Sequence, residues 1–222
     1  MIEQENLVNK QRAVFWEVLD VFDKQGLLPY VMLMGSWSEY IYQHYYLYNY
    51  KPHIMTRDVD FLYRNLHKPS VRIEIIQALG EVGFTCEVDR LSGVGKFVKE
   101  DVLSIEFLVR VLGKGDPANS RIPSLGITGI GLRDVNMLEN YPLALECEKY
   151  TVIVPEPEAY ILQKLLINPK RKSVDKREKD MRSIQGLIPH ISKYRINEIL
   201  DNLSKKQQIT ITEVCKENFV TL

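Results

Sequence analysis

No stretch of the chain approaches the ~20 consecutive apolar residues that a bilayer-spanning helix needs. Cysteine is scarce: Cys86, Cys147 and Cys215 are odd in number and far apart. No Cys/His pair has structural-zinc spacing, and a reduced, cytoplasmic setting is the plain expectation. His44, His53, His67 and His190 share no metal-ligand spacing either. The opening residues, Met1-Ile2-Glu3-Gln4-Glu5-Asn6, lack the basic and apolar regions of a signal peptide. Charge excess is missing as well. With 29 basic against 29 acidic residues the net charge is zero, which argues against a protein whose main task is coating nucleic acid. Internal repeats and low-complexity segments are absent. What is present is an ordinary globular balance, 45% hydrophobic and 26% charged over 222 residues. That suffices for one large domain, or a catalytic core with an appended lobe.

Apolar periodicity predicts an amphipathic helix over about Glu5 to Lys24, closed by Gly26. Tyr30 to Met34 reads as a buried strand ending at Gly35-Ser36. Ser36-Trp37-Ser38-Glu39 has the form of a capping box, so a helix is expected to start at Ser36. A tyrosine tract, Tyr40 to Tyr50, follows; helical spacing assigns it to core packing or a dimer contact. Val59 to Tyr63 is the next strand, entered through Thr56-Arg57-Asp58. Ser70 is expected to cap a helix through about Leu79. Strands follow at Phe84–Val88 and Val102–Leu112, separated by a turn around Ser92-Gly93-Val94-Gly95. Residues 113–135, rich in Gly, Pro and Ser, read as irregular. A last strand spans Tyr150 to Val154, and beyond it helices are expected at about 157–167, 174–187, 190–203 and 210–217. The fold class is α/β (α+β): a mixed sheet with flanking helices over 1–155, then a helical lobe over 156–222.

The chemistry lies in the sequence strand, Gly35-Ser36, helix, Asp58-Val59-Asp60. Side chains alternate across a strand, so Asp58 and Asp60 face one way and Val59 the other. Two carboxylates side by side repel unless a cation sits between them. Hard oxygen ligands of this kind suit Mg²⁺, which completes its shell with water and substrate phosphates. At the Gly-Ser junction, glycine admits a ligand close to the backbone, and helix-start amides favour phosphate. Glu106, flanked by Ile105 and Phe107, is an acid in an apolar strand and needs a cation to face it. It is the expected third carboxylate, able to bind metal and to orient or deprotonate an attacking hydroxyl. Together these parts supply what nucleotidyl transfer requires, in-line positioning and charge neutralisation.

Gly35-Ser36 followed by Thr56-Arg57-Asp58-Val59-Asp60-Phe61-Leu62 resembles the signature of the DNA polymerase β-type nucleotidyltransferase superfamily. More narrowly, the chain is similar to a small bacterial nucleotidyltransferase-like family. The residues that carry this are Ser104 to Leu108, Ser120 to Pro123, Leu132-Arg133, Val154 to Glu158, Lys164-Leu165 and Lys179-Asp180. Abortive-infection-type nucleotidyltransferase toxins share the plan more distantly. Two features depart from the pattern: 21 residues separate Ser36 from Asp58, and the third acid is Glu where Asp is commoner.

The resemblance implies a nucleotidyltransferase fold and transfer of NMP from an NTP to an acceptor: RNA, protein or a small molecule. Asp58, Asp60 and Glu106 would bind two Mg²⁺ ions, with Gly35 and Ser36 cradling the phosphates. It also implies Lys164 and Lys179 as triphosphate contacts. Asp180 is expected to pair with Lys176 or Arg177. The run Lys170-Arg171-Lys172 reads as a solvated basic loop. Two alternatives are a toxin of a toxin–antitoxin pair modifying tRNA or protein, and a catalytically degenerate protein that binds nucleotide or a partner.

Overall fold

A computed structural model describes residues 2–52, 56–111 and 120–222. His53 and the first part of the expected irregular stretch lie outside them. The chain divides into two compact units. The first takes the residues up to Trp37, Thr56–Arg133 and Ala144–Ile153; the second takes Ser38–Met55, Asp134–Leu143 and Val154–Leu222.

In the first unit, helix α1 (Ile2–Lys24) buries Val14, Phe15, Val18, Leu19 and Phe22 at helical spacing. Its end is a Schellman turn: the Leu27 amide donates to the Phe22 carbonyl at 2.7 Å and the Gly26 amide to Asp23 at 2.8 Å. Gly26 takes the left-handed conformation that this turn demands, at φ +63°.

The sheet comprises β1 (Val31–Met34), β2 (Asp58–Tyr63), β3 (Thr85–Val88), β4 (Gly95–Lys99), β5 (Leu103–Arg110), β6 (Ser120–Ile122) and β7 (Ile127–Leu132). Its path is β1-β2-β5-β4-β3, with β7 on β5 and β6 on β7. Strand β5 is the pivot. One edge pairs in parallel with β2 along Ser104–Val109. The other edge is shared, Leu103–Glu106 with antiparallel β4 and Leu108–Arg110 with parallel β7. Alternation gives the sheet two different faces. Val59, Phe61, Ile105, Phe107 and Phe97 are all buried, and Phe22 of α1 lies against Phe61 and Phe107, with ring centroids 4.8 and 5.8 Å apart. The opposite face carries Asp58, Asp60, Ser104, Glu106 and Lys96.

Three expectations in this unit are corrected. The helix expected from Ser70 is α3 (Ile75–Glu81), with no side-chain cap. The amide of Ile73 donates to the Ser124 carbonyl at 2.7 Å, a bond that takes the preceding residues out of helical pairing. Gly95, read as part of a turn, begins strand β4. Within the stretch read as irregular, Pro123, Ser124 and Gly126 form a tight turn joining β6 to β7, with the Leu125 and Gly126 amides donating to the Ile122 carbonyl.

Helix α2 (Gly35–Tyr45) begins in the first unit and runs on into the second. It starts one residue before Ser36, so the expected capping box does not form. A hairpin of β8 (Pro142–Cys147) and β9 (Tyr150–Pro155) follows α4 (Asn136–Asn140); α4 and β8 were not expected. In the second unit α5 (Pro157–Ile167) has Pro at its first turn and is buried on nearly every side, the pattern of a central helix. Packed on it are α4, α6 (Val174–Leu187), α7 (Lys193–Asp201) and α8 (Lys205–Glu217). Ser173, Ser192 and Ser204 cap the last three, and Ser204 with Gln207 makes a full capping box. That box sets the start of α8 at Lys205, five residues before the expected position.

Within the tyrosine tract Tyr40, Tyr42 and Tyr50 are buried, whereas Tyr46 and Tyr48 are exposed. Glu39 is 4% exposed and accepts hydroxyl protons from Tyr50 at 2.7 Å, from Tyr160 at 2.9 Å and from Ser183. Tyr42 donates to the Pro155 carbonyl at 2.6 Å. The α+β class, with a mixed sheet and a helical C-terminal part, is as expected.

Candidate active site

Strand register builds the acid face. The parallel pairing of β2 with β5 sets Asp58 beside Ser104 and Asp60 beside Glu106. Antiparallel pairing continues the second row, with Met34 beside Asp60, Lys96 beside Glu106, and Glu87 beside Lys96. One transverse row therefore reads Met34, Asp60, Glu106, Lys96, Glu87, all on one face of five strands.

The Lys96 ammonium lies 2.9 Å from both Asp58 Oδ1 and Glu106 Oε1. Ser104 Oγ donates to the same Asp58 oxygen at 2.6 Å. Partial burial disfavours the lysine charge, but the hydrogen bonds to Asp58 and Glu106 outweigh it and raise its pKa above the ordinary lysine value. The side chain of Glu106 is 23% exposed and that of Asp58 54%, so the cluster opens to solvent at Asp58.

The Gly-Ser turn sits against these acids. Gly35 has φ +66°, and a Cβ placed on it would lie 3.2 Å from Asp60 Oδ2. Only glycine combines that backbone with that approach. Ser36 Oγ lies 2.9 Å from Thr56 Oγ1 and accepts from the Thr56 amide at 3.3 Å. The Thr56 hydroxyl proton is used on the Asp58 carbonyl, at 3.1 Å. Ser36 is therefore the donor of the pair, since a hydroxyl has one proton to give. Trp37 Nε1 donates to the Thr56 carbonyl at 3.1 Å. Thr56 thus ties the start of α2 to the start of β2.

Five of the expected site residues, Gly35, Ser36, Asp58, Asp60 and Glu106, come together in the first unit. Lys164 and Lys179 belong to the second. Lys164 is bonded to Asp180 at 2.9 Å, with its ammonium 4.8 Å from the Tyr160 ring centroid. Lys179 is exposed on α6. The partners of Asp180 are Lys164 and Arg171, not Lys176 or Arg177, because its side chain is 5% exposed and turns inward from α6. Sequence reasoning missed Lys96. The signal was the alternation Lys96-Phe97-Val98 after Gly95, hidden by reading Gly95 as the end of a turn.

Among the described residues no group of three or more His, Cys, Asp or Glu side chains is drawn together as a metal site. The Lys96 ammonium lies between Asp58 and Glu106. The donor set fits a hard divalent ion, being all oxygen, with Asp58 and Glu106 already facing one positive charge.

The model of a family described as nucleotidyltransferase matches residues 14–208. The chain belongs to that family, and it is a nucleotidyltransferase. No curated protein matches it significantly. Among solved structures it is similar to an antigenic nucleotidyltransferase-like protein from Paracoccidioides brasiliensis, with a TM-score of 0.59 and 16% identity over 94% of this chain and 88% of that one. This likeness supports the fold. A second structure, the antibiotic-resistance factor ANT(2'')-Ia, aligns over 98% of this chain and 94% of its own at a TM-score of 0.41 and 11% identity.

Proposed function

We propose that the protein transfers NMP from an NTP to an acceptor with Mg²⁺ held by Asp58, Asp60 and Glu106. The observation that carries this is the acid row itself: three carboxylates on one face of adjacent parallel strands, two of them already sharing a cation. Bound there, divalent ions would neutralise the triphosphate and assist departure of pyrophosphate. The chain's own residues do the rest. Gly35 admits the Asp60 carboxylate close to the backbone, and the amides at the start of α2 would favour the negative charge of a phosphate oxygen cradled by Gly35 and Ser36. Glu106 orients, and can accept the proton of, the acceptor hydroxyl. Ser36 fixes the turn through Thr56 and can give its proton to phosphate when that pair opens. By the family resemblance alone, Lys164 and Lys179 enter the proposal as ammonium groups for pyrophosphate.

Calorimetric titration of the four NTPs, with and without Mg²⁺, tests this on wild type and Asp58→Ala. Metal-dependent binding is expected in wild type and its loss in the variant, with the far-UV spectrum unchanged. Equal binding by both proteins would sink the assignment. A second reading, nucleotide binding without transfer, is favoured by one observation: Lys96 already pairs with both Asp58 and Glu106 and offsets part of their charge. Metal-independent NTP binding by wild type would select it.

A further inference from the structure

Lys96 takes no step in the proposed transfer, yet it lies within the acid row. Its ammonium bridges Asp58 and Glu106, the first and third acids, at 2.9 Å each. A metal shared by those two carboxylates needs the same space. An ammonium and a divalent ion cannot both occupy it, because their charges repel and their ligand oxygens coincide.

The lysine is also built to leave. Its side chain is 36% exposed, and a four-carbon stem gives the ammonium reach. Strand register supplies a second seat. Glu87 on β3 is the direct cross-strand partner of Lys96 on the side away from Glu106. Directly opposed residues share a face with Cβ atoms about 5 Å apart, within reach of a lysine. Glu87 is exposed, so the ammonium can move there without being buried.

We propose that Lys96 is a resident cation that holds the acid row together until a divalent ion displaces it, with Glu87 taking up the released ammonium. This rests on the reading of Asp58 and Glu106 as metal ligands. It deepens that reading by making metal affinity depend on a residue that is not itself a ligand. Without metal, Lys96 offsets the repulsion among three carboxylates. During metal binding it competes. The site therefore resists stray divalent ions and fills more readily when a triphosphate brings additional ligands.

The test is Mn²⁺ binding without nucleotide, followed by the electron paramagnetic resonance signal of the free ion, with thermal melting in parallel. The proteins are wild type, Lys96→Met, Lys96→Arg, Glu87→Gln, Asp58→Ala and Lys96→Met/Asp58→Ala. Lys96→Met should bind Mn²⁺ about tenfold more tightly than wild type, the scale of one lost charge-assisted contact. In chelator its melting temperature should fall below that of wild type, and Mn²⁺ should restore it. Lys96→Arg should stay close to wild type, and Glu87→Gln should bind Mn²⁺ more weakly. Binding that Asp58→Ala abolishes, but that is equal or weaker in Lys96→Met, would overturn the role of Lys96 and leave the metal site standing. Binding that Asp58→Ala leaves unchanged in both backgrounds would overturn the metal-site reading itself.

Discussion

Gly35 concentrates the demands of the site in one residue. Its φ of +66° is left-handed, and its missing side chain lets Asp60 Oδ2 approach to where a Cβ would be 3.2 Å away. Gly35→Ala should cost about 1–2 kcal/mol through the backbone alone, and it should push Asp60 out of the acid row. Urea denaturation measures the first effect, and Mn²⁺ affinity the second. Unchanged values for both would show that the turn tolerates a side chain. The same residues explain what was legible in the sequence. Asp58 and Asp60 could be placed on one face because strand alternation is a local rule needing only the strand itself. Glu106 stood out as an acid within an apolar strand, but its place beside Asp60 comes from the pairing of β2 with β5. The bonds made by Ser36 and by Lys96 could not be placed. They depend on which strand lies beside which, and the spacing of Ser36 and Glu39 imitated a cap that the fold uses for other purposes.

At the scale of elements, strand β5 decides the geometry of the acid face, and its shared edge is the sensitive point. Gly129 on β7 has no room for a side chain: a Cβ there would stand 2.6 Å from the Phe107 carbonyl oxygen and 3.0 Å from Val109 Cγ2. The obstructing atom is backbone in the middle of the sheet, so β7 must move away from β5. Gly129→Ala should destabilise the protein by about 1–3 kcal/mol, the usual scale of overpacking, read as a lower urea midpoint at constant slope. A wild-type midpoint would mean that β5 and β7 separate freely. Long periodic elements such as α1 and α6 were readable from sequence, as were strands with continuous apolar runs. The short elements β4, β6, β7 and α4 were not. They take their hydrogen bonds from partners distant in sequence, and the glycines and prolines among them look like loop until the turns they make are known.

For the chain as a whole, the tyrosines report what holds the second unit together. There are 12 in the sequence, and Tyr42, Tyr50 and Tyr160 gather around Glu39, which lies 121 residues from Tyr160 and 144 from Ser183. No local pattern could have announced that cluster. Burial comes first and the Glu39 charge second in raising all three phenols above the ordinary tyrosine value. The folded chain therefore keeps three protons that the unfolded chain releases near pH 10. The stability supplied by this difference is complete below that pH and is lost as pH rises above it. Titration of absorbance at 295 nm, run beside far-UV circular dichroism, should show a phenolate increment worth at least three tyrosines that appears only as ellipticity collapses. If these phenols ionised while the helices remained intact, water would have access to Glu39, and the packing of α2, α5 and α6 around it would be wrong. Tyr160→Phe separates the contributions within the cluster. It deletes one ionisable group and one of the three hydroxyl donors to Glu39, so the late increment should shrink by one tyrosine, and the protein should lose about 1.5–3 kcal/mol at neutral pH, the scale of a hydrogen bond to a charged group.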